Sequence, residues 1–210
     1  MEHKIIVAGM GPGGAEYVVP QALKAIQEAR ALVGGKRLLE QYGQNNSQQK
    51  QRVIDRDIAG VMAFVDENLA NQDVVVMVSG DPGYYSLLDA LRRNFPGECL
   101  QVIPGISSFQ LAFAKLAMPW HDAKLLSFHG RIPAKSQLKY TEDTVLGILT
   151  DAKYNSRTIP EILLEQGWPL TAKLYICSRL SYEDEQIIAT NLADARKLEE
   201  YKHCVLVVTE

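Results

Sequence analysis

The stretch Val-Val-Val-Met-Val-Ser-Gly-Asp-Pro-Gly-Tyr-Tyr-Ser, residues 74–86, predicts a strand, a tight turn and the approach to a helix. Its first five residues are apolar and mostly β-branched, which is typical of a strand covered on both faces. Two glycines and a proline at 79–83 then impose a sharp bend, and Leu87, Leu88 and Leu91 resume at helical spacing. In an open parallel sheet such a turn lies at the carboxyl edge, where ligands bind. We therefore expect a functional site at this turn.

Two other predicted strands end in similar turns. Residues 5–8 precede Gly-Met-Gly-Pro-Gly at 9–13, and residues 100–103 precede Pro-Gly-Ile-Ser-Ser at 104–108. Glycine, proline and aspartate are ordinary turn residues, so one such turn says little about function. It is the repetition at three strand ends that favours a binding site.

The composition is that of an ordinary globular protein. The chain has 210 residues, 47% of them hydrophobic and 22% charged, which fits one large domain or two small ones. A net charge of −3 gives no reason to expect a nucleic-acid partner. No apolar run approaches the roughly 20 residues that span a bilayer, and the N-terminus does not resemble a signal peptide. Cys99, Cys177 and Cys204 lack paired spacing, so we expect a reduced cytoplasmic protein without a metal site or membrane contact.

A dinucleotide-binding fold is one alternative. Gly9, Gly11 and Gly14 satisfy the GxGxxG pattern after a strand. However, the apolar spacing starts the next helix only near Pro20, so these glycines do not open onto a helix that could hold a pyrophosphate. The second predicted strand, at 31–33, is followed by no acid for a ribose hydroxyl. The pattern therefore argues against NAD binding.

Strand and helix patterns alternate along the whole chain, which indicates an α/β protein. A helix with one apolar face is expected at 58–69, and another at 109–116 with Ser107 or Ser108 as its cap. The polar segment 41–52 is interpreted as a helix end and a loop. Pro119 ends the preceding helix and marks a boundary near residue 120. The second half predicts strands at 124–128, 144–149, 174–177, 185–189 and 204–208, and helices at 159–166 and 191–198, the latter capped by Asn191.

The three turns together resemble those of the tetrapyrrole methylases, S-adenosylmethionine-dependent methyltransferases whose cofactor site is not a GxGxG Rossmann loop. The segments at 127–131 (Ser-Phe-His-Gly-Arg), 149–151 (Leu-Thr-Asp) and 178–185 (Ser-Arg-Leu-Ser-Tyr-Glu-Asp-Glu) further resemble one branch of that family. This branch methylates carbon 5 of precorrin-7 or cobalt-precorrin-7 in cobalamin biosynthesis. The resemblance implies the class III methyltransferase fold, with two α/β domains at 1–120 and 121–210 and the active site in the cleft between them.

The resemblance also implies the cofactor contacts. S-adenosylmethionine would lie against the three turns and against backbone of the second domain. A glycine at position 80 would let the backbone approach the ligand closely. Ser107 and Ser108 are open to a second interpretation as simple helix caps, and His203 to one as a structural residue. The residues carried over are Pro12, Gly80, Asp81, Tyr84, Ser107, Ser108, Thr150, Leu180 and His203.

The substrate implied by the resemblance is a macrocycle with many carboxylate side chains. Arg131 is the best candidate for a bidentate contact with one of them. His129 could hydrogen-bond a carboxylate, and Arg179 is a third candidate. Each arginine has a plainer alternative: Arg131 could only pair with a neighbouring acid, and Arg179 could be a solvated surface charge. Methyl transfer from a sulfonium mainly requires alignment and exclusion of water, and the sequence identifies no catalytic base.

The resemblance also implies partners. The family tends to form homodimers, and relatives are often fused to a decarboxylating C15-methyltransferase, which would here be a separate protein. Two alternatives stay open. The chain could be a methyltransferase of the same fold acting on another tetrapyrrole, a protein or RNA, or it could be a nucleotide-binding module. The sequence does not distinguish a cobalt-containing substrate from a metal-free one.

Overall fold

The computed structural model describes residues 2–44 and 48–210. The chain forms two compact units, Met1–Ser107 and Ser108–Glu210. Each unit is built around one five-stranded sheet, so the α/β class predicted from the sequence is confirmed. Within the described ranges, no helix has both the length and the apolar character needed to cross a membrane.

The first unit is a parallel sheet with the strand order β3-β2-β4-β1-β5. Its central strand is β4, the apolar run at 74–78. Parallel strands need crossover connections, and helices supply them. The strands are β1 (Ile5–Gly9), β2 (Ala31–Gly34), β3 (Lys50–Val53), β4 (Val74–Val78) and β5 (Leu100–Ile103); the helices are α1 (Pro20–Glu28), α2 (Lys36–Tyr42), α3 (Ile58–Leu69) and α4 (Leu88–Asn94), with 3₁₀ turns at Ala15–Tyr17 and Gly97–Cys99.

All five residues of β4 are buried because the sheet is covered on both faces. Val74, Val76 and Val78 pack in the core that includes α3 and α4. Val75 and Met77 point to the opposite face and pack with α1 and α2. The continuous apolar run in the sequence therefore reflects two separate cores, one on each side of the central strand.

The second unit has a mixed sheet in the order β6-β7-β10-β8-β9. Only β6 and β7 are parallel, and every other neighbouring pair is antiparallel. One apolar core lies on one face of this sheet and includes Phe128, Leu163 and Trp168. The elements are α5 (Ser108–Lys115), β6 (Lys124–Ser127), α6 (Lys135–Leu138), β7 (Leu146–Leu149), α7 (Thr158–Glu165), β8 (Lys173–Ser178), β9 (Gln186–Asn191), a 3₁₀ turn at Ala195–Lys197, and β10 (Val205–Thr209).

Helix α5 belongs to the second unit, whereas the sequence placed the boundary near residue 120. Phe109 and Phe113 on this helix are fully buried, and they lie against Gly147 in β7. A Cβ atom added there would be 3.2 Å and 3.1 Å from their rings. The aromatic residues of α5 thus cover the second sheet, and the second unit therefore begins with this helix, at Ser108.

Two local predictions differ from the structure. The helix predicted at 191–198 is wrong: the segment contains only a single 3₁₀ turn. Instead of capping a helix, the Asn191 side-chain oxygen accepts a hydrogen bond from the Asp194 N–H at 2.8 Å and closes a turn. In the segment 41–52, residues 45–47 lie outside the described residues, and Lys50–Val53 forms the edge strand β3 rather than a loop.

Candidate active site

The three glycine-containing turns meet at the carboxyl edge of the first sheet. They follow β1, β4 and β5, which are neighbours in the order β4-β1-β5. A Cβ atom added at Gly9 would lie 2.6 Å from the Gly105 nitrogen and 2.8 Å from the Gly80 carbonyl oxygen. One added at Gly105 would overlap that same oxygen. The backbones of the turns are in direct contact, so no residue larger than glycine fits at positions 9 and 105.

Hydrogen bonds join the first two turns. The Gly80 N–H donates to the Gly11 carbonyl at 2.8 Å, and the Gly11 N–H donates back to the Gly80 carbonyl at 3.3 Å. Both glycines have φ of +68°, a left-handed conformation that side-chain-bearing residues rarely adopt. The next helix, α1, begins only at Pro20. The prediction that these glycines do not open onto a helix N-terminus is confirmed.

Asp81 braces this edge. Its Oδ1 accepts a hydrogen bond from the Gly83 N–H at 2.8 Å within its own turn, and its Oδ2 accepts one from the Gly105 N–H at 3.0 Å in the turn after β5. The carboxylate therefore holds two turns in register. Each oxygen retains a second lone pair, so this structural role leaves room for a ligand hydroxyl.

Gly80 differs from Gly9 and Gly105 because the space beside it is open. A Cβ atom added at Gly80 would meet only the Cα of Ser107, at 3.7 Å. Pro12, Tyr84 and Ser107 are half-buried at the same edge. Ser108 is half-buried as well, as the first residue of α5. Pro12, Gly80, Asp81, Tyr84 and Ser107 thus lie in or beside the three turns at this edge, and Ser108 begins the second unit.

Thr150, a predicted cofactor residue of the second unit, is 4% exposed. Its Oγ1 donates to the Cys204 carbonyl at 2.9 Å and accepts from the Cys204 N–H at 2.7 Å. The hydroxyl thereby ties the end of β7 to the start of β10. Both hydrogen bonds are internal, so the side chain has a structural task that the sequence did not indicate.

Asp151, in the second unit, links two turns by accepting hydrogen bonds from their backbone N–H groups, as Asp81 does in the first unit. Its Oδ2 accepts from the Gly130 N–H at 2.8 Å, and its Oδ1 accepts from the N–H groups of Tyr154 and Lys153 at 2.7 and 2.8 Å. These hydrogen bonds, led by the one from Tyr154, lower the pKa of the Asp151 carboxyl. An aspartate two residues past a strand, facing a glycine turn, is the signal that could have identified this brace.

His129 and Arg131 flank Gly130 in the turn that Asp151 holds, and both side chains are exposed. Gly130 has φ of +69°, which reverses the chain between them. The Arg131 N–H donates to the Phe128 carbonyl at 3.3 Å. The two predicted substrate residues are therefore presented to solvent from a turn whose backbone is fixed.

Arg179 is engaged with its own loop. Its Nε lies 3.0 and 2.9 Å from the two carboxylate oxygens of Asp184, and its guanidinium sits 4.4 Å from the centroid of the Tyr182 ring. The side chain is 56% exposed. Arg179 is therefore paired with an acid of its own loop rather than simply solvated, and a carboxylate ligand would have to compete with Asp184.

Leu180 and His203 occupy contrasting positions. Leu180 is 5% exposed, between Arg179 and Ser181, which both have positive φ. His203 is exposed on a loop before β10, with φ of +52°. Glu185 anchors the loop of Leu180, because it accepts from the Ser181 N–H at 2.7 Å and pairs with Lys115 of α5 at 2.7 Å. Leu180 is thus held in a fixed loop, whereas His203 is displayed on a surface.

Comparison with known proteins gives this architecture a family. The profile described as Tetrapyrrole (Corrin/Porphyrin) Methylases matches residues 4–196. The chain belongs to this family. Among tetrapyrrole methylases, it is 33% identical over 163 residues to the cobalt-precorrin-7 C(5)-methyltransferase of Salmonella typhimurium, with 78% of this chain and 79% of the relative covered. It is 29% identical over 200 residues to a Methanocaldococcus jannaschii protein named "Probable cobalt-precorrin-7 C(5)-methyltransferase", with 90% of both chains covered.

Solved structures of tetrapyrrole methylases share the fold. The methyltransferase CobJ has a TM-score of 0.77 at 21% identity, with 100% of this chain and 95% of that chain covered. The precorrin-6Y methylase CbiE from Archaeoglobus fulgidus has a TM-score of 0.72 at 23% identity, with 99% and 97% covered. A uroporphyrin-III C-methyltransferase from Thermus thermophilus, complexed with S-adenosylhomocysteine, has a TM-score of 0.74 at 18% identity, with 99% and 92% covered.

The predicted site residues of this tetrapyrrole methylase thus fall into groups with different surroundings. Those at the carboxyl edge of the first sheet lie in or beside its three turns. His129 and Arg131 share one exposed turn, while Thr150 and Arg179 are committed to partners within the second unit. Among residues 2–44 and 48–210, no group of three His, Cys, Asp or Glu side chains is arranged to hold a metal ion.

Proposed function

We propose that this chain transfers a methyl group from S-adenosylmethionine to carbon 5 of cobalt-precorrin-7, or of metal-free precorrin-7, in cobalamin biosynthesis. The observation that carries the proposal is the 33% identity to the Salmonella cobalt-precorrin-7 C(5)-methyltransferase over 78% of this chain. Membership of the tetrapyrrole methylases agrees with it. The narrow substrate assignment rests on relatives that carry this activity in their names.

The carboxyl edge of the first sheet suits S-adenosylmethionine. The cofactor needs a surface that its adenosine and amino-acid tail can approach closely, with a few directed polar groups. Gly80 offers backbone with no side chain in the way, Asp81 offers spare lone pairs, and Ser107 lies beside the same glycine, its Cα atom 3.7 Å from a Cβ added at Gly80. When bound, the cofactor supplies an electrophilic methyl group on a positively charged sulfur. We also propose contacts with S-adenosylmethionine for the other residues that the family resemblance implies: Pro12, Tyr84, Ser108, Thr150, Leu180 and His203.

The task of the chain is positioning. Methyl transfer from a sulfonium has an activated leaving group, so the protein contributes alignment of the attacking carbon and exclusion of water. The braced turns provide rigidity for that alignment, because Asp81 and Asp151 each fix backbone in two neighbouring turns. We propose that His129 and Arg131, which extend from one such turn, contact carboxylates of the macrocycle, and that Arg179 does so by exchanging Asp184 for a substrate carboxylate.

The decisive experiment is a single-turnover reaction with cobalt-precorrin-7 and S-adenosylmethionine labelled with ¹³C in the methyl group. The expected product gains one methyl group by mass spectrometry and shows the label at carbon 5 by NMR. Metal-free precorrin-7 in parallel identifies the preferred form of the substrate. A label at another ring carbon would contradict the assignment to carbon 5, and cofactor binding without turnover of either substrate would contradict the corrinoid assignment.

We further propose that the protein acts as a homodimer and that a separate decarboxylating C15-methyltransferase works on the same macrocycle. Sedimentation equilibrium measures the first, and a mass of twice the chain is expected. For the second, adding that enzyme after the carbon 5 methylation should yield a product with one more methyl group and one carboxyl group fewer. A monomer at micromolar concentration, or no turnover of the methylated product, would contradict the respective proposal.

A further inference from the structure

Two of the proposed cofactor residues in the second unit belong to one connected structure. Ser108 begins α5, and Lys115 ends it. At a rise of about 1.5 Å per residue, the helix separates them by roughly 10 Å. The Lys115 Nζ lies 2.7 Å from a carboxylate oxygen of Glu185, in the loop 179–185 between β8 and β9, which we call the Leu180 loop. The helix and this ion pair therefore join Ser108 to the loop of Leu180.

The ion pair between Lys115 and Glu185 is partly shielded from solvent. The two side chains are 35% and 20% exposed, whereas Lys197 and Asp194, which pair at 2.6 Å in the same unit, are 72% and 45% exposed. Desolvation opposes ionisation of Glu185, but the hydrogen bonds from Lys115 and from the Ser181 N–H outweigh it, and the pKa of this carboxyl is lowered. A charged pair that is shielded in this way interacts more strongly than a solvated one.

The Leu180 loop has a backbone that needs such an anchor. Arg179 and Ser181 have φ of +53° and +68°, a left-handed conformation that is unfavourable for residues other than glycine and persists where the surroundings impose it. The Glu185 carboxylate helps to impose it by accepting a hydrogen bond from the Ser181 N–H at 2.7 Å. Leu180 lies between the two strained residues and is 5% exposed. Its position therefore depends on the carboxylate that α5 holds in place.

We propose that Lys115 and Glu185 are positioning residues for S-adenosylmethionine. Their ion pair fixes the Leu180 loop to α5, so that Leu180 and Ser108 stand at a set separation and contact the same cofactor molecule. The inference rests on the proposed function, because only that function makes these two residues cofactor contacts. Lys115 and Glu185 do not themselves touch the cofactor; they act through the residues that they hold.

The test is calorimetric titration of the whole chain with S-adenosylhomocysteine. Lys115→Met removes the charge and keeps most of the side-chain length, and Glu185→Gln removes the charge and keeps an oxygen that can accept from the Ser181 N–H. Each should weaken binding by roughly 3- to 10-fold, the loss of one partly shielded ion pair. Because both variants remove the same interaction, the double variant should bind no more weakly than either single variant. Lys115→Arg, which retains the charge, should bind within about threefold of wild type.

Lys197→Met is the matched control, because it removes a lysine–carboxylate pair of similar length from the same unit. It should bind S-adenosylhomocysteine within about twofold of wild type. A second readout is single-turnover methylation of cobalt-precorrin-7 at increasing S-adenosylmethionine. In Lys115→Met, the cofactor concentration at half-maximal rate should rise by the same factor as the dissociation constant, while the rate at saturation stays within about twofold of wild type. A loss of stability alone would change neither quantity at a temperature where the variant is folded.

The outcomes separate this inference from the proposed function. If wild type methylates cobalt-precorrin-7 and both single variants bind S-adenosylhomocysteine as Lys197→Met does, the ion pair only supports the fold and the inference is wrong. An additive loss in the double variant would also contradict it, since the two residues would then act separately. If wild type binds no S-adenosylhomocysteine at millimolar concentration, with or without cobalt-precorrin-7, the proposed function and the inference fail together.

Discussion

At the scale of single residues, Gly80 is the position where a small change should separate ligand binding from folding. Replacing Gly80 with alanine places a Cβ atom in open space at φ of +68°, so we expect a stability loss of about 1 kcal/mol. If the cofactor approaches this backbone, as we propose, the added Cβ atom would obstruct it, and affinity for S-adenosylhomocysteine should fall at least tenfold. Calorimetric titration measures the affinity, and urea unfolding measures the stability.

Gly167→Ala is the control for that substitution. Gly167 also has positive φ, of +90°, and its added Cβ would meet only Tyr140 at 4.0 Å, at the end of α7. It should lose similar stability and keep its affinity for S-adenosylhomocysteine. Equal affinities in the two variants would show that Gly80 does not face the cofactor.

At Gly105, unlike at Gly80, an alanine should mainly reduce the stability of the fold. An added Cβ would meet backbone atoms of Gly80 and Gly9, and backbone cannot move aside as a flexible side chain can. We expect Gly105→Ala to destabilise the protein by about 2–4 kcal/mol. Gly97→Ala, where no atom lies within 4 Å, should change stability by less than about 1 kcal/mol. Urea unfolding of the two variants measures both, and similar midpoints would contradict the tight packing of the three turns.

The sequence predicted which residues gather at this edge, but not what their side chains do there. The turn residues around Asp81 predict a bend. The hydrogen bond from the Gly105 N–H to Asp81, however, forms only because β4 and β5 both lie beside β1 in the sheet. Thr150 is similar: its partner Cys204 is distant in sequence, and only the pairing of β7 with β10 brings them together. Hydrogen bonds between remote turns carry no local pattern, which is why these internal roles were missed.

At the scale of elements, the turn 127–131 should depend on the charge of Asp151. Hydrogen bonds from Tyr154, Gly130 and Lys153 lower the pKa of this carboxyl in the folded protein. A lowered pKa means that the stabilisation is complete above the unfolded-state pKa of about 3.9 and is lost as pH falls through the lower folded-state pKa. The Gly130 amide resonance should therefore titrate below pH 3.9, together with the carboxyl.

Asp151→Asn provides the comparison. It removes the titrating group, so the Gly130 amide resonance should no longer move in this acid range, and stability should fall less between pH 5 and pH 3 than it does in wild type. Both are measured by NMR and by urea unfolding across that range. An unchanged Gly130 titration in Asp151→Asn would mean that another group controls the turn.

Elements with a strong pattern of hydrophobic residues were predicted well, and those with a weak pattern were not. The apolar run of β4 and the single apolar face of α3 give unambiguous patterns, and both elements occur where predicted. Strand β3 is polar and mostly exposed because it lies at the sheet edge, so nothing in its composition separates it from a loop. The segment 191–198 has helix-like spacing, but it holds only a turn closed by Asn191 and a 3₁₀ turn at Ala195–Lys197.

At the scale of the whole molecule, the cysteines report on each unit separately. Cys99 lies in the first unit, and Cys177 and Cys204 lie in the second; all three are buried. Burial, together with the neighbouring Cys204, raises the pKa of Cys177 to about 12, and burial raises that of Cys204 to about 11. Buried thiols with such values are unreactive. We expect no labelling by a disulfide reagent in the folded protein at pH 8.

Increasing urea should expose the thiols as the units open, and mass spectrometry of peptides assigns each label. If the two units unfold as one, Cys99 and Cys177 should become reactive over the same range of urea. If they unfold separately, the ranges should differ. Fully denatured protein, in which all three thiols must react, is the control. Rapid labelling of Cys204 in the native protein would contradict its burial.

The position of β1 in the first sheet also constrains how the chain reaches its native state. Ile5 pairs with Val74 on one side and with Leu100 on the other, so the earliest strand to be synthesised receives both its neighbours last. On the ribosome, β1 must remain unpaired until the residues of β4 have emerged, and one of its edges stays open until those of β5 follow. Such long sequence separations slow folding and prolong the exposure of apolar strand surface. A nascent chain of this protein is therefore most vulnerable to misassembly before residue 103 leaves the exit tunnel.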